Sequence, residues 1–258
     1  MDTLVFLGTG DAMGVPRVYC SCDTCAEARN GGINARLRSS VLIDNGSDFW
    51  VIDCGPDWRK QMEAQGLRSM RRLLVTHAHF DHIGGLPEWA DACRWLGIKG
   101  QMYAPAEVIP LIDRQYPWLR SHIEMIPCDD GITLDGWNIV TWRVCHGKNG
   151  YSYAYRLEKD GFTWVYCPDS ISLGEEEKRL MRGADLLVLG TSFYYEAAEL
   201  AGRSVYDMTE AAELLLDVKP LRAIYTHMSH DVDLDKDYIL PENVKLARTG
   251  MSVPLGQS

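Results

Sequence analysis

The stretch Thr76-His77-Ala78-His79-Phe80-Asp81-His82 places four side chains able to bind a metal ion within six residues. It follows the strand-like run Leu73-Leu74-Val75. In an extended chain His77 and His79 share a face, and a turn after them can re-aim Asp81 and His82. Imidazole and carboxylate without thiolate suit zinc, manganese or iron. Three more ligand-type residues stand at the ends of strand-like runs: His146 after 142–145, Asp169 after 164–166 and His227 after 223–226. Alone, each would read as a satisfied core histidine or a turn-capping aspartate. Together they repeat the placement of functional residues just beyond the strands that hold them rigid.

A second cluster, Cys20-Ser21-Cys22-Asp23-Thr24-Cys25, holds three thiols in the close spacing of zinc sites. The leading fourth ligand is His230, in Thr226-His227-Met228-Ser229-His230. A Cys₃His set is closed and tetrahedral, leaves no open position, and so predicts a structural zinc.

The elements that must carry these residues are legible as short apolar runs bounded by Gly, Asp or Asn. They predict strands at 4–7, 40–43, 49–52, 73–76, 102–104, 137–144, 153–157, 164–166, 186–189 and 223–226. Helical periodicity marks 86–96, 107–116, 175–181 and 209–216, the last with Asp207 as N-cap and Glu210 three residues on. No linker, repeat or low-complexity tract divides the chain, so many strands with irregularly placed helices predict a helix-covered sheet sandwich in one domain spanning 1–258.

The chain has 258 residues, 46% of them hydrophobic and 24% charged, which suits an ordered globular fold. No run reaches bilayer-spanning length, which argues against a membrane partner. The opening MDTLVFLGTG lacks the basic and apolar regions of a secretory leader. A cytoplasmic location is therefore expected, with the eight cysteines as thiols or ligands rather than disulfides. The formal net charge of −10 argues against a nucleic-acid partner. Cys54, Cys93, Cys128, Cys145 and Cys167 read as small buried hydrophobes. Arg29, Arg36 and Arg38 read as a solvated basic segment. Tyr194, Tyr195, Trp118 and Trp142 read as packing residues able at most to stack on a nucleoside or sugar.

The series His77, His79, Asp81, His82, His146, Asp169, His227 resembles that of the metallo-β-lactamase-fold hydrolases, position for position. The resemblance implies an αββα sandwich with two divalent metals between the sheet ends. It implies that His77, His79 and His146 hold one metal, that Asp81, His82 and His227 hold the other, and that Asp169 bridges them. The cysteine loop, at about 17–38, narrows the likeness to the phosphoribosyl cyclic phosphodiesterase family of the carbon–phosphorus lyase pathway. So do Gly8-Thr9-Gly10-Asp11-Ala12-Met13-Gly14-Val15-Pro16, the downstream Ala28-Arg29 and the Thr-His-x-Ser-His ending. That likeness implies manganese or zinc at the hydrolytic pair, one zinc at the cysteines, a homodimer, and a small cyclic sugar or nucleotide phosphodiester as substrate. Relatives carry a leaving-group histidine where this chain has Val205. Lys148, Tyr206 and Asp207 are the candidates to do that work here, with Asp81 counted among the catalytic residues. The alternatives are a tRNA 3′-end endonuclease, a thioesterase or lactonase, and a non-catalytic metal-binding or carrier protein.

Overall fold

The computed structural model describes residues 1–256. The first sheet is built from β1 (Asp2–Gly8), β2 (Ser40–Asp44), β3 (Phe49–Ile52), β4 (Arg72–Leu74), β5 (Gly100–Ala104) and β6 (Ile123–Pro127) in sequence order. The second contains β7 (Ile132–Leu134), β8 (Trp137–Cys145), β9 (Tyr151–Lys159), β10 (Phe162–Cys167), β11 (Leu186–Gly190), β12 (Arg222–Thr226) and β13 (Val244–Leu246). The last strand, β14 (Ser252–Leu255), crosses back and pairs antiparallel with β1, so the chain's end closes the sheet its beginning opened.

The period-two side-chain pattern of the strands decides the layering. Leu4, Phe6, Ile43, Trp50, Ile52 and Leu74 point between the sheets, against Trp137, Tyr155, Leu157 and Trp164 of the second. Their chain neighbours Val5, Leu7, Leu42, Val51 and Leu73 point outward into a separate core. There they meet α2 (Trp58–Ala64), α4 (Leu86–Leu96) and α5 (Ile109–Gln115) through Trp58, Met62, Trp89 and Ile112. On the far face α7 (Met208–Val218) seats Met208, Leu214 and Leu215 on the second sheet. The result is an αββα sandwich, the architecture that the sequence resemblance implies.

Helix α4 runs over the predicted residues, with Pro87 in its first turn and Gly97 as a left-handed cap. Helix α7 starts at the predicted cap: Asp207 accepts from the Glu210 N–H and Glu210 reaches back. Helices α1 (Asp23–Arg29), α2 and α3 (Phe80–Ile83), and strands β6, β7, β13 and β14, have no counterpart in the sequence reading. They are short, from three to seven residues, too few to establish a period.

Strands β3 to β6 are parallel to one another, as are β10 to β13, and β8 runs with β10 because both are antiparallel to β9. Their C-terminal ends therefore share one rim of the sandwich. That rim is where an open sheet leaves room for a ligand.

Candidate active site

The rim gathers the predicted ligands. His77 and His79 follow β4, and His79 caps α3, whose single turn carries Asp81 and His82. His146 follows β8, Asp169 follows β10 and His227 follows β12. Gly190, ending β11, lies so close to the Pro168 backbone that a Cβ there would collide with it, and this close approach seats Asp169. All seven except the half-exposed His79 are buried.

Their donor atoms form two groups that share Asp169: His77, His79 and His146 in one, Asp81, His82 and His227 in the other. Asp169 Oδ2 lies 3.2 Å from His77 Nε2, 3.1 Å from His82 Nε2 and 3.7 Å from His146 Nε2. Its Oδ1 lies 3.0 Å from His227 Nε2. Asp81 Oδ2 is 3.1 Å from His82 Nε2 and 3.5 Å from His227 Nε2.

The rings are held from behind. His82 Nδ1 donates to Asp53 Oδ2 at 2.7 Å and His146 Nδ1 to the Ser204 carbonyl at 2.7 Å. His77 Nδ1 is 3.0 Å from the Thr76 hydroxyl, which itself donates to Asp53. Each Nε2 is thereby the ring nitrogen turned into the site, that of His77 lying 2.8 Å from His79 Nδ1, and becomes a lone-pair donor once its proton or hydrogen bond is given up to a cation. His82 Nε2, Asp169 Oδ1 and both ring nitrogens of His227 are buried without a hydrogen-bond partner. Such orphaned atoms are costly in a dry interior unless a cation completes them. The donor set of nitrogens and carboxylate oxygens fits divalent zinc or manganese.

Charge follows the same division. Burial holds His77 and His146 below the ordinary histidine range and takes His79 down to about 4, so these three stay neutral near pH 7. Burial opposes charge on His82 and His227 too, but Asp81 and Asp169 outweigh it and raise both, with Asp53 adding to the effect on His82. Burial pushes Asp81 and Asp169 up, and the facing histidines overcome it and hold both low. Without a cation, then, imidazolium charge balances the carboxylates, and a bound cation takes that place by displacing the protons.

At the second cluster the Cys20, Cys22 and Cys25 sulfurs lie 3.2, 3.4 and 3.5 Å from His230 Nδ1. A tetrahedral zinc with ordinary Zn–S and Zn–N bonds sets an S···N edge of about 3.5 Å, so the four residues fit that ion. Arg36 lashes this loop to the same segment: its buried guanidinium donates to the Ser229 and Val232 carbonyls at 2.9 and 2.7 Å.

Several sequence expectations need correction. Tyr206 is not in the cleft: its hydroxyl accepts from the Leu173 N–H at 2.8 Å inside the core, and burial pushes it up to about 12. Asp207 is spent on structure, accepting from the Glu210 and Glu196 N–H groups, the Thr209 hydroxyl and Arg203. The arginines 29, 36 and 38 are not one solvated run, since of the three only Arg29 is exposed. Arg29 donates to the Arg17 and Cys20 carbonyls, Arg36 is buried and Arg38 pairs with Asp57 at 3.1 Å. Lys148 does line the reaction cleft, a cavity of about 240 Å³ that also contains His79, Asp81, His146, Asp169, His227 and Val205.

The sequence reading passed over Asp53, whose carboxylate accepts from the Thr76 N–H and hydroxyl and from His82. Its signal was available: an acidic residue directly after the strand 49–52, the placement used to pick out Asp169. Its backbone is left-handed, with φ 66°. That conformation costs on the order of 1–3 kcal/mol in a non-glycine residue, and aspartate and asparagine tolerate it best. Asp53→Asn therefore keeps the backbone while removing the charge behind His82. We expect it to weaken retention of one cation about 10- to 100-fold, with excess metal restoring turnover. Metal titration of activity reads this, and an unchanged titration would remove Asp53 from the positioning of His82.

The beta-lactamase superfamily domain profile matches residues 50–228. The crystal structure of a diphosphatase of the PhnP family superposes with a TM-score of 0.86 at 25% identity, covering 99% of this chain and 98% of that one. An octanoyltransferase of Porphyromonas gingivalis is 27% identical over 96% of this chain, which spans 50% of that protein's length. A ribonuclease Z of Listeria monocytogenes is 24% identical, over 98% of this chain and 99% of that protein.

Proposed function

This chain belongs to the beta-lactamase superfamily domain family, and on that premise we propose that it is a two-metal hydrolase of small phosphodiesters. The observation that carries the proposal is the Asp169 carboxylate, set within 3.0–3.7 Å of imidazoles from both donor groups. His77, His79 and His146 would hold one cation, Asp81, His82 and His227 the other, with Asp169 common to both. Two divalent cations held there, manganese or zinc, supply Lewis acidity that activates water and offsets the charge growing on an attacked phosphoryl group. Cys20, Cys22, Cys25 and His230 would hold a structural zinc. The likeness to the PhnP-family diphosphatase favours phosphorus over carbon as the attacked atom. The acidic chain favours a small substrate over RNA, although a ribonuclease Z is among the relatives.

The chain's own groups order the rest. Asp53, Thr76 and Ser204 fix the rings, and the apolar Val205 beside them can neither give nor take a proton. Among the described residues two cationic side chains line the cleft: Arg203 is engaged by Glu196, Asp207 and Glu210, which leaves Lys148, on the 3₁₀ turn Gly147–Asn149 just after His146, to stabilise or protonate the departing oxygen. We expect Lys148→Ala to slow alkyl phosphodiesters roughly 10²-fold, the usual scale for losing a general acid. It should barely touch p-nitrophenyl esters, whose leaving group needs no proton. A steeper dependence of rate on leaving-group pKa is the readout, and equal losses on both esters would exclude the role.

The proposal as a whole is tested by metal analysis of the purified protein together with a panel of cyclic and linear phosphodiesters, lactones and thioesters. Metal-dependent turnover of phosphodiesters supports it. Turnover of the carbon esters alone overturns it in favour of a lactonase or thioesterase.

A further inference from the structure

A second cavity of about 510 Å³ lies beside the reaction cleft and is about twice its size. The two are contiguous, since His79 and Asn149 line both. A phosphodiester whose phosphorus sits at the Asp169 cluster has room for one ester substituent on this side. The cavity walls are largely apolar, with Val108 and Leu111 from the α5 side facing Tyr151 and Tyr153 of β9.

Tyr151 is the distinctive surface. The residue is 56% exposed, yet its ring has a partner. The Arg143 guanidinium lies 3.4 Å from the ring centroid, and Arg143 is not a wall of the cavity, so it braces the ring from behind. Glu107, itself a wall of the cavity, faces Arg143 at 3.7 Å. A braced, exposed aromatic face next to a reaction centre costs little to order and offers stacking to a flat ring. A nucleobase offers a flat π-face that matches it over the whole ring, which an alkyl group or a bare sugar does not.

We propose that this cavity is a base-binding subsite, in which the nucleobase of a nucleotide phosphodiester stacks on Tyr151. The assignment rests on the phosphodiesterase reading and narrows its substrate class to nucleotides. Arg114, at the cavity wall, adds positive charge on the approach of the anionic ester.

The test uses the full chain loaded with manganese. Equilibrium dialysis compares adenosine 5′-monophosphate with ribose 5-phosphate, which lacks the base. Kinetics compare 2′,3′-cyclic AMP with glycerol 1,2-cyclic phosphate, which offers the same type of bond without a base. The wild type should bind the nucleotide on the order of tenfold or more tightly, the scale of one base stacked on an aromatic ring. Tyr151→Ala should abolish that preference and lower the ratio of kcat/KM for the nucleotide to that for the base-free ester about tenfold, through KM. Tyr151→Trp should keep both. Equal binding of the two monophosphates, or a preference that survives in Tyr151→Ala, overturns the proposal. A base preference in binding with neither cyclic ester hydrolysed would leave the subsite standing and refute the phosphodiesterase reading instead.

Discussion

On the proposed two-cation reading, Asp169→Ala should lower kcat/KM for bis(p-nitrophenyl) phosphate by about 10³-fold or more, and should remove both proposed hydrolytic cations while the proposed cysteine zinc stays. The reason is that one carboxylate serves both donor groups. Removing an outer partner of a ligand costs about 10- to 100-fold in metal affinity, and a shared direct ligand should cost more. The substitution also changes the balance of buried charge. Asp169 lies beside His77, His82, His146 and His227, and it supports the raised titration of His82 and His227. Without it four imidazoles face one another with only Asp53, 2.7 Å behind His82, and Asp81, 3.1 Å from His82 and 3.5 Å from His227, as counter-charges close by. Asp169→Asn keeps the shape and a carbonyl oxygen but not the charge, so it separates the two causes: a loss as large as in the alanine variant assigns the effect to charge. Activity and metal content are measured together, with near-ultraviolet circular dichroism to confirm packing. Undiminished turnover, or two cations retained beside the cysteine zinc, would refute the shared-ligand assignment.

The same side chains explain what could be read in advance. Strand β4 and the residues after it were legible because His, Asp and strand-type residues each carry a local signal, and four ligands within six residues have few alternatives. His146, Asp169 and His227 were legible only jointly, as three residues repeating one placement. Tyr206 and Asp207 were misread because their chemistry was weighed without their packing. The features that make Asp207 a good N-cap consume the carboxylate that a proton-transfer role would need. Tyr151 carried no signal at all, because its importance comes from Arg143 behind it and from a cavity formed between α5 and β9, two elements distant in sequence. Ligand identity is local chemistry and survives in a sequence, whereas the shape of a binding surface is tertiary.

Cys22→Ser should act on stability rather than on hydrolysis. The loop it belongs to has little apolar packing; apart from the four candidate zinc ligands it is held by polar ties such as those of Arg29 and Arg36. Its apolar cluster is small, Val15, Cys25 and Ala28 with Cys20 and Ala35 packed alongside, and Val18 and Tyr19 are exposed. Cys22 itself is exposed, so its serine variant loses almost no packing and isolates the contribution of the sulfur. A structural zinc adds binding free energy directly to folding, and its loss removes that linkage. For a chain of this length each kcal/mol moves Tm by roughly 2–4 °C, and losing a loop clamp worth a few kcal/mol predicts a fall of roughly 5–15 °C. The two hydrolytic cations should remain, and kcat/KM below the new Tm should change less than about tenfold, a barrier difference under about 1.4 kcal/mol. The connection to catalysis is one of position: His230 stands three residues beyond His227, and Arg36 ties the segment between them to the cysteine loop. His230→Ala tests that connection, because it removes the ligand nearest the reaction centre and should lower Tm as Cys22→Ser does. Full zinc content with an unchanged Tm in both variants would refute the clip, and a collapse of hydrolysis with Tm intact would place these residues in the reaction instead.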